Sequence, residues 1–211
     1  EEKRCEYDMV VLQHEIPMEI NEIVARYARD RSVPVMLNPA PAAPLSDKML
    51  SYLTYIAPNE HEATQLTGVA IRKDNDRVNL DDVKAAADVL RKKGVENVII
   101  TLGSGGAAIV DKDGLKYSPC VDIVEVKDPT AAGDSFIGAF TVGICVGLNH
   151  KQALDFANYT ATITVSRIGA QPSLPVLNDV IRLMQQDNFT AFDFSRFEVL
   201  KGSGEGVTDA E

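Results

Sequence analysis

One carboxylate in this chain stands where anion binding and acid–base chemistry would meet. In the run Asp128-Pro129-Thr130-Ala131-Ala132-Gly133-Asp134-Ser135-Phe136, residues with small side chains lead into Asp134. Phe136, Ile137, Ala139, Phe140, Val142 and Val146 then recur with helical spacing. Asp122 to Val126 alternates like a short strand, so the run reads as strand, turn and helix. Ala131, Ala132 and Gly133 are too small to shield their own amides, and the first turn of a helix can offer such N–H groups, with the positive end of its dipole, to an anion. A carboxylate repels the ligand of a simple phosphate cradle. It is apt as a base for a hydroxyl that attacks a phosphoryl group held by those amides. The same residues equally permit Asp134 as the helix N-cap.

Positioning such a turn needs a scaffold, and the chain supplies alternating elements. Met9 to Gln13 reads as a strand, followed by a helix opened by Pro17 with Ile20, Ile23, Val24, Tyr27 and Ala28 on one apolar face. A strand at Val33 to Asn38, a helix at Ser46 to Leu53, a short strand at Thr54 to Asn59 and a helix from Asn59 to the stop at Gly68 follow. Residues 70–79 are polar and read as a surface loop, Leu80 to Lys93 as an amphipathic helix, Glu96 to Gly103 as a strand and Ala107 to Ser118 as a hairpin. Helices at Lys151 to Ile168, capped by Gly169, and at Pro175 to Gln186 close the pattern. Strand and helix in alternation predict an α/β fold with a mainly parallel sheet. One domain is expected over residues 1–200, with a disordered acidic tail at 201–211.

Polar residues fall at the strand ends, where open α/β sheets bind ligands. Glu15 fits a ligand contact, a loop acid or a first-turn helix acid; Asn38 fits a contact or a turn-former. Asn59 and Glu62 fit a capping box, a complete structural account in itself. The glycine-rich turn Thr101 to Ala107 would approach a ligand or join two strands of a hairpin. It lacks the Lys-Ser/Thr of a Walker loop.

The 211 residues, 45% hydrophobic and 25% charged, suffice for a sizeable core, and the net charge of −10 argues against nucleic-acid or anionic-membrane partners. Three scattered cysteines without a CxxC pair suit a reducing, cytoplasmic setting. The sequence holds neither an apolar run of spanning length nor a signal-peptide pattern.

Five stretches together resemble the ribokinase-like carbohydrate kinases. Asp128 to Phe136 resembles their D-T-x-[GA]-A-G-D signature, although Pro129 departs from the usual Thr. Asn38-Pro39-Ala40-Pro41-Ala42, Pro58 to Gly68, the turn at Thr101 and Ser166 to Pro175 are similar to further family elements, so the likeness runs from about Leu12 to Pro175. The resemblance implies a three-layer α/β/α sandwich and transfer of the ATP γ-phosphoryl to a pentose, nearest to ribose giving ribose 5-phosphate. It implies Asp134 as general base, with the amides of Ala131, Ala132 and Gly133 holding the transferring charge, and Glu15 with Asp134 at the sugar. Asn38, Asn59, Thr101, Gly103, Gly106 and Gly133 would bind ATP, and Glu62 would order Mg²⁺. Asp128, Thr130, Thr164, Arg167, Gly169 and Ser173 would surround K⁺. Family chains begin with sugar-gripping strands, and Met9 to Glu15 already matches their middle, so the chain alone is expected to bind ATP and to phosphorylate ribose poorly. A non-catalytic nucleotide-binding module, or a kinase for adenosine, fructose or 2-keto-3-deoxygluconate, remains the alternative. A homodimer is left open.

Overall fold

The computed structural model describes residues 7–75, 77–190 and 193–200; Cys5 and the tail expected to be disordered, 201–211, lie outside them. Contacts divide the chain into two compact units, Glu1–Asp122 and Ile123–Glu211.

In the first unit, β-branched and leucine-rich runs form the inner strands because both of their faces are covered. The elements in order are β1 (Val10–Gln13), α1 (Met18–Asp30), β2 (Val35–Asn38), α2 (Asp47–Leu50), β3 (Tyr55–Ile56), α3 (Glu60–Thr67), β4 (Lys73–Asp74), β5 (Arg77–Val78), α4 (Leu80–Lys92), β6 (Asn97–Thr101), β7 (Ala107–Asp111) and β8 (Gly114–Ser118). The main sheet has the order β1-β2-β3-β6-β7-β8. Pairings β1–β2, β2–β3 and β3–β6 are parallel, whereas β6–β7 and β7–β8 are antiparallel, so the expected mainly parallel sheet is present. All four residues of β2 are buried. Helix α4 turns Val83, Ala86, Ala87 and Leu90 inward, all fully buried in a cluster with Val98 and Ile100 of β6. Burying a leucine such as Leu90 completely is worth about 1.5–3 kcal/mol.

Local reality departs from the periodicity at four places. Helix α1 buries Asn21, Ala25 and Ala28, and its larger residues Ile20, Ile23 and Tyr27 are exposed. Small side chains let a helix approach a sheet closely, so alanines can supply the packed face. Residues 70–79 are not a plain loop: β4 and β5 pair antiparallel, steadied by Lys73 on Glu60 at 3.0 Å and by Arg72 gripping Asp82 at 2.7 and 2.8 Å. That guanidinium holds the Asp82 carboxyl down at about 2. Asp122 to Val126 forms no strand, and the amides that follow it, Lys127 and Asp128, both donate to the Val165 carbonyl. The helix expected at Ser46 to Leu53 is only α2, with Ser46 as its N-cap, accepting from the Met49 amide at 3.0 Å.

The second unit is helical: α5 (Ala132–Cys145), α6 (His150–Val165) and α7 (Leu177–Gln186), with short 3₁₀ segments at Gln171–Ser173 and Phe194–Leu200. Asn149 and Gln152 close a reciprocal capping box at the start of α6. The helix ends at Ser166, so Gly169, expected as its cap, lies in the following loop.

The turn between β6 and β7 separates two roles of glycine. At Gly103 the backbone has φ +56° with open space around an added Cβ. At Gly106, φ is +86° and a Cβ would fall 2.2 Å from the Ser118 carbonyl oxygen and 2.5 Å from the Cys120 amide nitrogen. Gly103→Ala is therefore expected to cost about 1–2 kcal/mol, the left-handed penalty alone. Gly106→Ala should cost about 1–3 kcal/mol more through overpacking against backbone. Urea denaturation of both variants checks the order; equal losses would refute it.

Candidate active site

Four parallel strands of the first unit deliver polar residues at their carboxyl ends. Gln13 lies opposite Asn38 in the β1–β2 register, and Asn59, just past β3, bridges in parallel to Thr101 at the end of β6. Glu15 is exposed two residues after β1, whereas Asn38 is only 8% exposed. Asn59 caps α3: its Oδ1 accepts from the Glu62 amide at 2.9 Å, and Glu62 Oε2 accepts from the Asn59 amide at 2.8 Å. The capping-box account is thus realised, and it fixes the Glu62 carboxylate, 8% exposed, at one place on the helix. Gly103 opens a 3₁₀ turn, and Gly106, although counted with the nucleotide contacts, is held by the close approach of residues 118–120. The turn joins antiparallel β6 and β7, the hairpin alternative left open by the sequence. His14 is half-buried, its Nδ1 bonded to the Pro41 carbonyl at 2.9 Å.

In the second unit, α5 starts at Ala131, whose φ of +61° is left-handed. No side chain caps the helix there. Asp134 sits in the first helical turn and is exposed, so it is not the N-cap. Of the three small-residue amides, that of Ala132 donates to the Pro129 carbonyl at 3.2 Å. Those of Ala131 and Gly133 have no partner among the described residues. A positive-φ entry that bares two amides beside a carboxylate puts donors suited to an anion and an acceptor suited to a proton in one turn.

Asp128 ties this turn to the loop after α6. Its Oδ1 accepts from the Thr130 amide and its Oδ2 from the Gly169 amide, each at 2.9 Å. The Thr130 hydroxyl, then the Gly169 and Thr130 amides, hold the carboxyl below its ordinary range. Thr164 and Ser173, both fully buried, donate their hydroxyls to the Thr160 and Ala170 carbonyls at 3.0 and 2.6 Å. Arg167 is bound to Asp179 at 3.0 Å, and a guanidinium cannot ligate a cation, so only its carbonyl is eligible. An ionised carboxylate among loop carbonyls fits a monovalent cation. Glu62, a single carboxylate on a helix start, fits Mg²⁺ of the kind that keeps its waters and shares phosphate oxygens. Among the described residues no three His, Cys, Asp or Glu are grouped as a dedicated metal cage.

One feature escaped the sequence. Asp134 lines a cavity of about 400 Å³ together with Gly138, Phe156, Thr160, Leu174 and Leu200. Leu200 belongs to the segment Phe194–Leu200, anchored by Phe197, fully buried with its ring 4.7 Å from that of Phe156, and by Arg196 on the Gly147 carbonyl at 2.7 Å. The only sequence signal was the phenylalanines at 189, 192, 194 and 197.

The profile described as pfkB family carbohydrate kinase matches residues 3–177. Ribokinase of Schizosaccharomyces pombe is 43% identical over 174 residues, covering 82% of this chain and 54% of that protein. Ribokinase of Haemophilus influenzae is 36% identical over 178 residues, 84% of this chain and 56% of that protein. The chain therefore spans about half the length of the curated relatives it matches. The structure of Arabidopsis thaliana ribokinase complexed with ribose and ATP superposes with a TM-score of 0.79 at 32% identity, covering 84% of this chain and 56% of that one. The ribokinase of Cryptococcus neoformans in complex with ADP gives 0.75 at 25% identity, covering 85% of this chain and 61% of that one.

The Asp128 bridge has a definite pH signature. A depressed carboxyl stabilises the fold at every pH above its unfolded value near 3.8, and that contribution disappears as pH falls through the lower folded value. The Gly169 amide resonance is thus expected to titrate in acid with a midpoint below 3.8. Asp128→Asn should move it at neutral pH. A Gly169 shift that titrates at or above 3.8 would exclude the bridge.

Proposed function

Because this chain belongs to the pfkB family of carbohydrate kinases, we propose that it transfers the γ-phosphoryl of ATP to the primary hydroxyl of a pentose, ribose giving ribose 5-phosphate and ADP. The observation that carries this is the entry to α5, where a left-handed Ala131 bares amides and Asp134 stands uncommitted to capping. Ribose and ATP are the ligands of the Arabidopsis relative, which supports both as substrates here.

In this proposal Asp134 accepts the proton of the attacking hydroxyl, late in the reaction, because a loose transition state leaves the incoming oxygen weakly bonded. The amides of Ala131, Gly133 and, once released from Pro129, Ala132 hold the charge on the transferring group. Glu15 orients the sugar with Asp134, and Asn38, Asn59, Thr101, Gly103, Gly106 and Gly133 bind the nucleotide. Glu62 would hold Mg²⁺, which when bound neutralises phosphate charge. Asp128 and Thr130, with Thr164, Arg167, Gly169 and Ser173, would hold K⁺ and so pin the loop after α6 to the α5 entry. The net charge of −10 favours an enzyme without nucleic-acid or anionic-membrane partners, and the three scattered cysteines without a CxxC pair favour a cytoplasmic one.

Calorimetry on the 211-residue chain is expected to detect ATP binding, with little ribose-dependent ADP release in a coupled assay. In a protein extended to the relatives' length, Asp134→Asn should lower that release by roughly 10² to 10⁴ while ATP affinity stays unchanged. Retention of more than about a tenth of the rate would remove Asp134 as base. Turnover absent from the extended protein itself would favour a non-catalytic nucleotide-binding module.

The cation makes a separate demand. Replacing Na⁺ by K⁺ should raise ADP release, and Asp128→Ala should erase the increase. An enzyme indifferent to the exchange would count against K⁺.

A further inference from the structure

The hairpin β4–β5 joins two parts of the candidate site that lie apart in the sequence. Its base is fixed: the Asn79 amide donates to the Arg72 carbonyl at 2.9 Å, and the Arg72 guanidinium holds Asp82 in the first turn of α4. In the β4–β5 register Lys73 lies opposite Val78, so the two side chains share one face. Val78 turns that face against the glycine turn, where a Cβ added at Gly105 would fall 2.9 Å from Val78 Cγ2. Lys73 turns it against the start of α3, with Nζ 3.0 Å from Glu60 Oε2. Glu60 directly follows Asn59, which bridges to Thr101 just before the glycine turn. Hairpin, helix start and glycine turn therefore meet at the carboxyl ends of β3 and β6, with the Lys73 ammonium among them.

We propose that Lys73 is a phosphate-binding residue, donating to the polyphosphate of ATP in competition with Glu60. This rests on the reading of Asn59, Thr101 and the glycine turn as nucleotide contacts. An ammonium has three N–H donors, and Glu60 engages it through Oε2 alone; Oε1 is buried with no hydrogen-bond partner among the described residues. The lysine side chain is 43% exposed, and an ion pair so open to water is worth little, so a polyphosphate of several charges outbids one carboxylate. Glu60 keeps the support of the positive helix end when the ammonium turns to phosphate. The other cations of the hairpin are placed differently. Arg72 is committed to Asp82, and Arg77, next to Val78 on the strand, belongs to the opposite face. In a chain of net charge −10, Lys73 is thus the hairpin's one cation facing these elements with donors to spare.

Calorimetric titration of the 211-residue chain with ATP and Mg²⁺ at fixed ionic strength tests it. Lys73→Ala should raise the dissociation constant about tenfold, the loss of one charge-assisted bond, and Lys73→Arg should keep most of the affinity. Glu60→Gln should act in the opposite sense and tighten binding about two- to fivefold, because it removes the competitor. Arg77→Ala should change the constant little. Circular dichroism and thermal melts show whether each variant is folded, and if Lys73→Ala is not, the sign of the Glu60→Gln change decides. An unaltered ATP affinity in Lys73→Ala overturns the proposal and leaves the nucleotide site standing. So does weaker binding by Glu60→Gln, which would make the pair a brace for the helix start, or an Arg77→Ala loss equal to that of Lys73→Ala, which would make the effect one of bulk charge. A starting chain that binds no ATP overturns the nucleotide reading itself, and the proposal with it.

Discussion

The Asp128 carboxylate is the constraint on which the entry to α5 depends. It accepts one amide from within its own turn and another from 41 residues further along, at Gly169. Charge-assisted bonds of this kind are roughly twice as strong as neutral ones. Two loops with little regular structure, 127–131 and 166–170, are thereby given a common reference. The Val165 carbonyl adds two more bonds, from the amides of Lys127 and Asp128. That anchoring helps to hold the left-handed residue at Ala131, a conformation costing about 1–2 kcal/mol, beside the bonds from Ala132 to the Pro129 carbonyl and from Ser135 to the Ala131 carbonyl. The bared amides of the helix entry follow from that single residue's backbone.

The first unit solves a different problem by different means. Its ligand-side residues are placed by strand length and register, since Gln13 opposite Asn38 and Asn59 opposite Thr101 arrive at one level whatever their side chains do. The capping of α3 then makes a structural device and a candidate ligand out of one residue. One Glu62 carboxylate oxygen accepts from the Asn59 amide, which holds that charge at the start of the helix.

Much of this was legible in the residues. The α4 stripe of Val83, Ala86, Ala87 and Leu90 predicts its own burial, and Asn59 with Glu62 predicts its own cap, because both depend on neighbours within a few positions. The mainly parallel sheet follows from the alternation of elements. What could not be read depended on partners distant in sequence. Helix α1 carries two stripes, and periodicity ranks the bulkier Ile20, Ile23 and Tyr27 above Ala25 and Ala28, although the sheet admits the smaller ones. The alternation at 122–126 looks like a strand because nothing local reveals that Val165 takes the amides beyond it. Gly169 looks like a helix cap until Asp128 is seen to need its N–H.

The placement of Leu200 divides the wall of the Asp134 cavity between the helices and the segment that follows them. Asp134, Phe156 and Leu174 fall within the stretch matched to the family, which ends at residue 177, whereas Leu200 lies beyond it. A substitution at Leu200 reshapes the space beside the carboxylate without touching the turn that holds it. The shape of that cavity can therefore be changed from Leu200 while the turn at Ala131 stays fixed.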